Sequence, residues 1–143
     1  MKNKLFFILT ALITLATSCA KAPQQNIVLP EGKFAGVFRR IHLNPATNKL
    51  DTATANIALS LSSATGYAVT GDTTTLHAGS NGSYVADGTY LQFIDKTLPA
   101  NSTKTPTKVH LAGVYKYLYG GSTLEMGISN DTLSYYYNLK TTQ

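Results

Sequence analysis

The side chains that could perform acid–base or metal chemistry are few and widely separated in this chain of 143 residues. His42, His77 and His110 lie 35 and 33 residues apart, which is not the local spacing of a zinc motif. The seven carboxylates are scattered, and the chain contains no H-E-x-x-H, G-x-S-x-G or phosphate-binding glycine motif. We therefore predict that the protein is not an enzyme and uses neither a metal nor a cofactor. An enzyme would require one of the three histidines within hydrogen-bond reach of a carboxylate in a cleft.

Cys19 is the only cysteine, which excludes a disulfide framework and a cysteine-based zinc site. It directly follows residues 1–18, which have the composition of a signal peptide: two lysines, then an apolar run over residues 5–16 (LFFILTALITLA). As a helix rising about 1.5 Å per residue, this run reaches about 18 Å, short of a bilayer core of about 30 Å. A signal peptide is therefore favoured over a membrane-spanning helix.

The small residues that end at Ser18 resemble the lipobox of bacterial lipoproteins, with Ala16 at the position that usually holds leucine. The resemblance implies cleavage before Cys19 and attachment of a diacylglycerol, usually joined by an N-acyl chain such as palmitate. Each buried methylene contributes about 0.8 kcal/mol, so several chains anchor a protein stably to a membrane. Ala20 replaces the aspartate that favours inner-membrane retention, which implies an outer-membrane location facing the periplasm or the surface. The alternative is an ordinary secretory signal with an incidental cysteine.

Nine tyrosines are the most suggestive feature of the remaining chain, and six of them lie between residues 115 and 137. Alternate residues of a strand share a face, so Tyr115 lies beside Tyr117, and Tyr135 beside Tyr137. Rings with a polar tip suit an amphipathic pocket, although tyrosine is also a common strand residue. The predicted ligand-binding residues are Phe34, Phe38, Arg40, Tyr115, Tyr117, Tyr135 and Tyr137.

Arg40 belongs to this set because adjacent strand residues point to opposite faces, which separates it from Arg39. It shares the face of Phe34, Phe38 and His42, and an inward arginine needs a partner such as a bound anion. The alternative is two solvated arginines near a strand end.

Three Asp-Thr pairs resemble an O-glycosylation sequon used on exported proteins in some bacteria. The resemblance implies modification at Thr52, Thr73 and Thr132. Asp-Thr is also common turn chemistry, which is the alternative explanation.

From residue 31 onward the hydrophobic pattern has a period of two, most clearly over residues 53–62 (ATANIALSLS), and this indicates strands. Residues 19–30 are polar and contain prolines, and we interpret them as a lipidated cysteine and a flexible tether. Gly36 and Gly113 lie near the middle of predicted strands, where glycine indicates a bend that would help a sheet to close. We predict turns at Asp87-Gly88, Gly120-Gly121 and Asn130-Asp131, and a mobile surface loop over residues 99–107.

These turns and strands predict one all-β domain over residues 31–143, an antiparallel meander barrel of about eight strands, with a β-sandwich as the alternative. The chain resembles the lipocalin-like (calycin-type) barrels of many small bacterial lipoproteins. The resemblance rests on Gly32-Lys33-Phe34, on the hairpin of residues 82–93 and on the closing strands of residues 111–140. A barrel of this size is either filled by side chains or holds one small ligand.

Without residues 1–18 the chain keeps ten basic and seven acidic residues, a net charge of +3, too sparse for a nucleic-acid-binding face. We therefore predict a membrane-anchored lipoprotein of the cell envelope whose barrel binds a small apolar or amphipathic ligand without catalysis. The alternative is a structural or protein-interaction module with a side-chain-filled barrel and an envelope protein as its partner. An interior cavity lined by tyrosines would favour the first, and a packed interior with an exposed apolar patch the second.

Overall fold

The computed structural model describes residues 28–98 and 106–143, and within these ranges every regular element is a β-strand. The strands are β1 (Gly32–Asn44), β2 (Lys49–Ser62), β3 (Gly66–Gly71), β4 (Asn81–Ala86), β5 (Tyr90–Asp95), β6 (Gly113–Tyr119), β7 (Thr123–Ser129) and β8 (Leu133–Thr141). Each strand pairs with the next in antiparallel fashion, and β8 pairs with β1, so the sheet is a closed meander barrel. The predicted all-β barrel is confirmed. The β-sandwich alternative is wrong because the first and last strands are hydrogen-bonded to each other.

Several predictions concern residues outside the described ranges. They are the signal peptide of residues 1–18, the lipidation of Cys19, most of the tether over residues 19–30, and most of the loop over residues 99–107. They stay predictions. In the described part of the chain, no helix has the length and apolar character needed to cross a membrane.

The barrel core consists of the inward residues of the alternating strands. On β2, Ala55, Ile57, Leu59 and Leu61 are all at most 4% exposed, while the residues between them face outward. Large inward side chains from the other strands complete the core, and full burial of one such side chain contributes about 1.5–3 kcal/mol. The period of two in the sequence thus corresponds directly to the inner and outer faces of the barrel.

The barrel closes where β1 meets β8, and Gly36 makes this close approach possible. Gly36 pairs with Leu139 of β8 on one side and with Ile57 of β2 on the other. A Cβ atom at position 36 would overlap the carbonyl oxygen of Asn138 and lie 3.0 Å from the Cα of Leu139. The two backbones can therefore approach this closely only because residue 36 has no side chain.

The hairpin between β4 and β5 has the predicted turn chemistry. Gly88 has a φ of 90°, which only glycine adopts without strain. The Oδ1 of Asp87 accepts hydrogen bonds from the backbone N of Thr89 at 2.9 Å and of Tyr90 at 2.7 Å. The Asp87-Gly88 prediction is confirmed.

A meander places its connections alternately at two ends of the barrel. One end, here called the tether end, holds the turns at residues 63–65, 87–89 and 120–122, together with residues 28–31, which lead into β1. The opposite end, called the loop end, holds residues 45–48, 72–80 and 130–132 and the described parts of the connection between β5 and β6. Three places could hold a site: the barrel interior, the loop end and the outer face.

Candidate functional site

The barrel interior is filled by the aromatic residues that the sequence marked as ligand-binding. Phe34, Phe38, Tyr115, Tyr117 and Tyr137 are each at most 5% exposed. The ring centroids of Phe38 and Tyr137 lie 4.9 Å apart, and those of Tyr115 and Tyr137 lie 5.7 Å apart, both within the range of favourable aromatic pairs. All five side chains belong to one buried core cluster, which favours a barrel filled by side chains.

His77 closes the loop end of the barrel from within. Within the connection of residues 72–80, His77, Ala78 and Ser80 are buried, and His77 has no exposed surface. Its Nδ1 lies 2.7 Å from the carbonyl oxygen of Ala78 and donates to it, so its Nε2 accepts from the hydroxyl of Tyr137 at 2.9 Å. Burial lowers the pKa of His77, which keeps the ring neutral. Burial also raises the pKa of Tyr137, so the two side chains form a neutral hydrogen-bonded pair.

A second segment, residues 106–112, seals the same end. The hydroxyl of Tyr67 donates to the carbonyl oxygen of Leu111 at 2.5 Å, and the backbone N of Leu111 donates to Oγ of the buried Ser80 at 3.1 Å. The backbone N of Ala78 donates to the carbonyl oxygen of Val109 at 2.8 Å.

Burial raises the pKa of Tyr115 to about 12, so this interior phenol is a hydrogen-bonding group and not an acid near neutral pH.

His110 meets one half of the criterion set for an enzyme. Its Nδ1 lies 2.7 Å from Oδ2 of Asp95, whose side chain has no exposed surface. Oγ1 of Thr97 donates to Oδ1 of Asp95 at 2.6 Å and lies 3.4 Å from the same Nδ1 of His110. In a hydrolase triad the base meets the carboxylate with one ring nitrogen and the nucleophile with the other. Here both meet Nδ1, so Thr97 is not placed as the nucleophile of such a triad, and the cluster links His110 to the end of β5.

Arg40 and Tyr135 lie at the loop end, on the inward side of β1 and β8. Nη2 of Arg40 is 3.6 Å from Oδ2 of Asp51, whose side chain is 70% exposed, and such exposed pairs contribute about 0–1 kcal/mol. Nε of Arg40 is buried and has no hydrogen-bond partner among the described residues. The ring of Tyr135 packs against Phe38 at a centroid distance of 5.9 Å.

We expect Arg40→Met to leave the free energy of unfolding unchanged or to raise it by about 1 kcal/mol, since the buried Nε disappears and only a weak ion pair is lost. Urea denaturation midpoints would measure the change. Asp51→Asn, the matched control, should change the stability by less than about 0.5 kcal/mol. A loss above about 1 kcal/mol in Arg40→Met would show that Arg40 has a stabilising partner.

The three Asp-Thr pairs lie at the same end of the barrel, although they are far apart in sequence. Thr52 is exposed at the start of β2, whereas Thr73 and Thr132 are partly buried in the loop-end connections. Asp51-Thr52 lies within a strand, so turn chemistry does not account for this pair. Modification of these residues stays a prediction, and it would concentrate sugar at the end away from the tether.

The outer face carries a groove that crosses β6, β7, β8 and β1, with a volume of about 610 Å³. Lys116, Gly127, Tyr136 and Arg39 are successive cross-strand neighbours along it. A Cβ atom at position 127 would lie 2.8 Å from Cδ1 and 3.0 Å from Cε1 of Tyr136. The ring of Tyr136 therefore lies against the bare backbone of Gly127, and it is 46% exposed.

A second row of outward residues lies beside the row formed by Lys116, Gly127, Tyr136 and Arg39. Leu118, Glu125, Asn138 and Val37 are likewise successive cross-strand neighbours. Nδ2 of Asn138 donates to Oε1 of Glu125 at 3.4 Å, and Leu118 is 70% exposed. Apolar surface combined with a few polar groups, in a volume between about 300 and 1,000 Å³, is typical of small-molecule sites.

The structure thus divides the predicted site residues between the filled interior and the loop end, and it adds a groove that the sequence analysis missed. The sequence contains one indication of the groove: a glycine at position 127, on the outward side of β7, that alternates with inward residues. Among residues 28–98 and 106–143, no three histidine or carboxylate side chains come close enough to hold a metal ion. No protein-family model, curated protein or solved structure matches the chain. What the groove binds is therefore inferred from its own geometry.

Proposed function

We propose that the protein is a membrane-anchored lipoprotein of the cell envelope that binds a small amphipathic ligand, without catalysis, in the outer groove of a filled barrel. The observation that carries this proposal is the groove itself: about 610 Å³, with the exposed ring of Tyr136 resting on Gly127. The packed interior counts against the tyrosine-lined cavity expected from the sequence, and it leaves the outer face as the place for recognition. Thr97 is not placed as a nucleophile for the His110–Asp95 pair, because its hydroxyl contacts Asp95 and the same ring nitrogen of His110.

The attachment of β1 supports an anchor at the tether end. Both the backbone N and the Oγ of Ser63 donate to Oε1 of Glu31 at 2.8 Å, and these hydrogen bonds lower the pKa of that carboxyl. They fix the chain where it enters the barrel. Nine peptide links join Cys19 to Val28, and a chain of that length reaches at most about 30 Å. A lipid on Cys19 would therefore hold the tether end close to the membrane.

The test is mass spectrometry of the full chain extracted from its own envelope in detergent, under native and then denaturing conditions. We expect a mass excess that disappears on denaturation, which is the ligand, and a covalent excess on the peptide that begins with Cys19. Tyr136→Ala should lose the first excess and Cys19→Ser the second. Tyr90→Ala is the matched control, because Tyr90 is also an outward tyrosine with 46% exposure but does not line the groove.

Each result decides between the alternatives. A native mass without a ligand, or a ligand retained in Tyr136→Ala, would overturn the groove as the binding site. The first of these results would favour a structural module with a filled barrel. An unmodified Cys19 would overturn the lipid anchor, and a covalent excess on Thr52, Thr73 or Thr132 would establish glycosylation.

A further inference from the structure

Two cations flank the ring at the centre of the outer groove. Arg39 follows Tyr136 on one side along the row, and Lys116 follows Gly127 on the other. Both side chains are exposed, and in residues 28–98 and 106–143 neither forms an ion pair. All seven acidic residues of the chain lie within these ranges, so the chain itself supplies no counter-ion for either cation.

The single acidic residue of the groove lies away from these cations. Glu125 belongs to the second row, two residues along β7 from Gly127, which places its backbone about 7 Å away. The amide of Asn138 also bonds its carboxylate. An anion above Tyr136 would therefore meet two positive charges first, whereas a cationic ligand would meet like charges.

The backbones of β6 and β1 lie three strand spacings apart, about 14 Å, which leaves room for a flat molecule between Lys116 and Arg39. The exposed ring of Tyr136 offers an apolar face to such a molecule, and Leu118 and Val37 extend the apolar surface. Guanidinium and ammonium groups both bind oxyanions, the guanidinium with two parallel hydrogen bonds.

Resting on the proposed function, the geometry points to a narrower ligand class. We infer that the groove selects a small molecule in which an anionic group, a carboxylate, sulfate or phosphate, is attached to a flat apolar body. The body stacks on Tyr136 over Gly127, and the side chains of Arg39 and Lys116 approach its anionic group from the two sides of the ring.

The test uses two probes that differ only in charge, naphthalene-2-sulfonate and its neutral analogue naphthalene-2-sulfonamide. Isothermal titration calorimetry of the full chain in a non-ionic detergent, with a detergent-only blank, would measure both dissociation constants. We expect the sulfonate to bind about tenfold more tightly at low salt, and added salt should reduce this preference. Arg39→Gln and Lys116→Gln should each lower the preference several-fold, whereas Lys140→Gln, an exposed lysine outside the groove, should not.

Gly127→Ala tests the location of the site independently of the ligand class. Its methyl group would push the Tyr136 ring away from the backbone and weaken the binding of both probes. Gly120→Ala is the matched control, since a Cβ at position 120 meets nothing within 4 Å. Equal binding of the two probes, with both weakened by Gly127→Ala, would overturn the anionic class and leave the proposed function intact. Binding that Gly127→Ala leaves unchanged, or no binding of either probe, would overturn the groove and the proposed function together.

Discussion

Gly36→Ala is expected to destabilise the barrel by about 3 kcal/mol, because the added methyl group would overlap backbone and not a movable side chain. The overlap is with the carbonyl oxygen of Asn138, next to the Leu139 that pairs with Gly36 across the closing seam. Relief would require β1 and β8 to separate at the point where the barrel closes. Urea denaturation should show a lower midpoint, and thermal unfolding a Tm lower by about 10 °C or more.

The matched control for this substitution is Gly120→Ala, in the hairpin between β6 and β7. A Cβ atom there meets nothing within 4 Å, so the stability should change by less than about 0.5 kcal/mol. If Gly36→Ala were as stable as Gly120→Ala, the first and last strands could not pack as closely as described. The difference between the two variants therefore measures the tightness of the seam.

The two glycines flagged in the sequence show how far local pattern reaches. The sequence predicts a bend in the middle of a strand at both Gly36 and Gly113. Gly36 does lie within β1, but its role is to admit the backbone of β8, more than 100 residues later in the chain. Gly113 instead begins β6 with a φ of 97° and open space around it. Periodicity and turn pairs were sufficient for the strands and their order, whereas the reason for each glycine depended on cross-strand contacts.

The candidate site was harder to predict for the same reason. Alternation correctly placed Tyr115 and Tyr117 on one face, yet whether a barrel is hollow or filled depends on the side-chain volumes of all strands together. His77 enters the interior from an irregular segment without periodicity, and its partner Tyr137 lies 60 residues away. Arg39 and Lys116 are also distant in sequence and face one groove only through the register of three strand pairs.

His77 makes the stability of the barrel sensitive to mild acid. Burial is the main cause that lowers its pKa below the ordinary value of 6.5, the nearby His110 lowers it further, and the hydrogen bond to Ala78 and the charge of Asp95 oppose the shift. The unfolded chain therefore takes up a proton as the pH falls through about 6.5, and the native chain does so only at lower pH. The stabilisation that depends on neutral His77 is fully present above that pH. At lower pH the free energy of unfolding should decrease, by at most about 1.4 kcal/mol per pH unit for this one proton.

His77→Phe should remove most of this acid sensitivity, because a phenyl ring of similar size cannot take up a proton. The measurement is urea denaturation at pH values between 7 and 5, and the quantity compared is the slope of stability against pH. The pKa values of Glu31 and Asp87 are lowered, so their contributions to stability decrease only below the ordinary values of 4.5 and 3.8, outside the pH range of this measurement.

Tyr137→Phe is the control that separates titration from packing. It deprives Nε2 of His77 of its hydrogen-bond donor and should cost about 1–3 kcal/mol at every pH, yet it keeps the buried imidazole. We therefore expect Tyr137→Phe to lie below the wild type with a similar slope, and His77→Phe to have a flatter one. A wild-type slope in His77→Phe would mean that a group other than His77 takes up the proton. A flat slope would establish that the loop end is held shut by a histidine that must remain neutral.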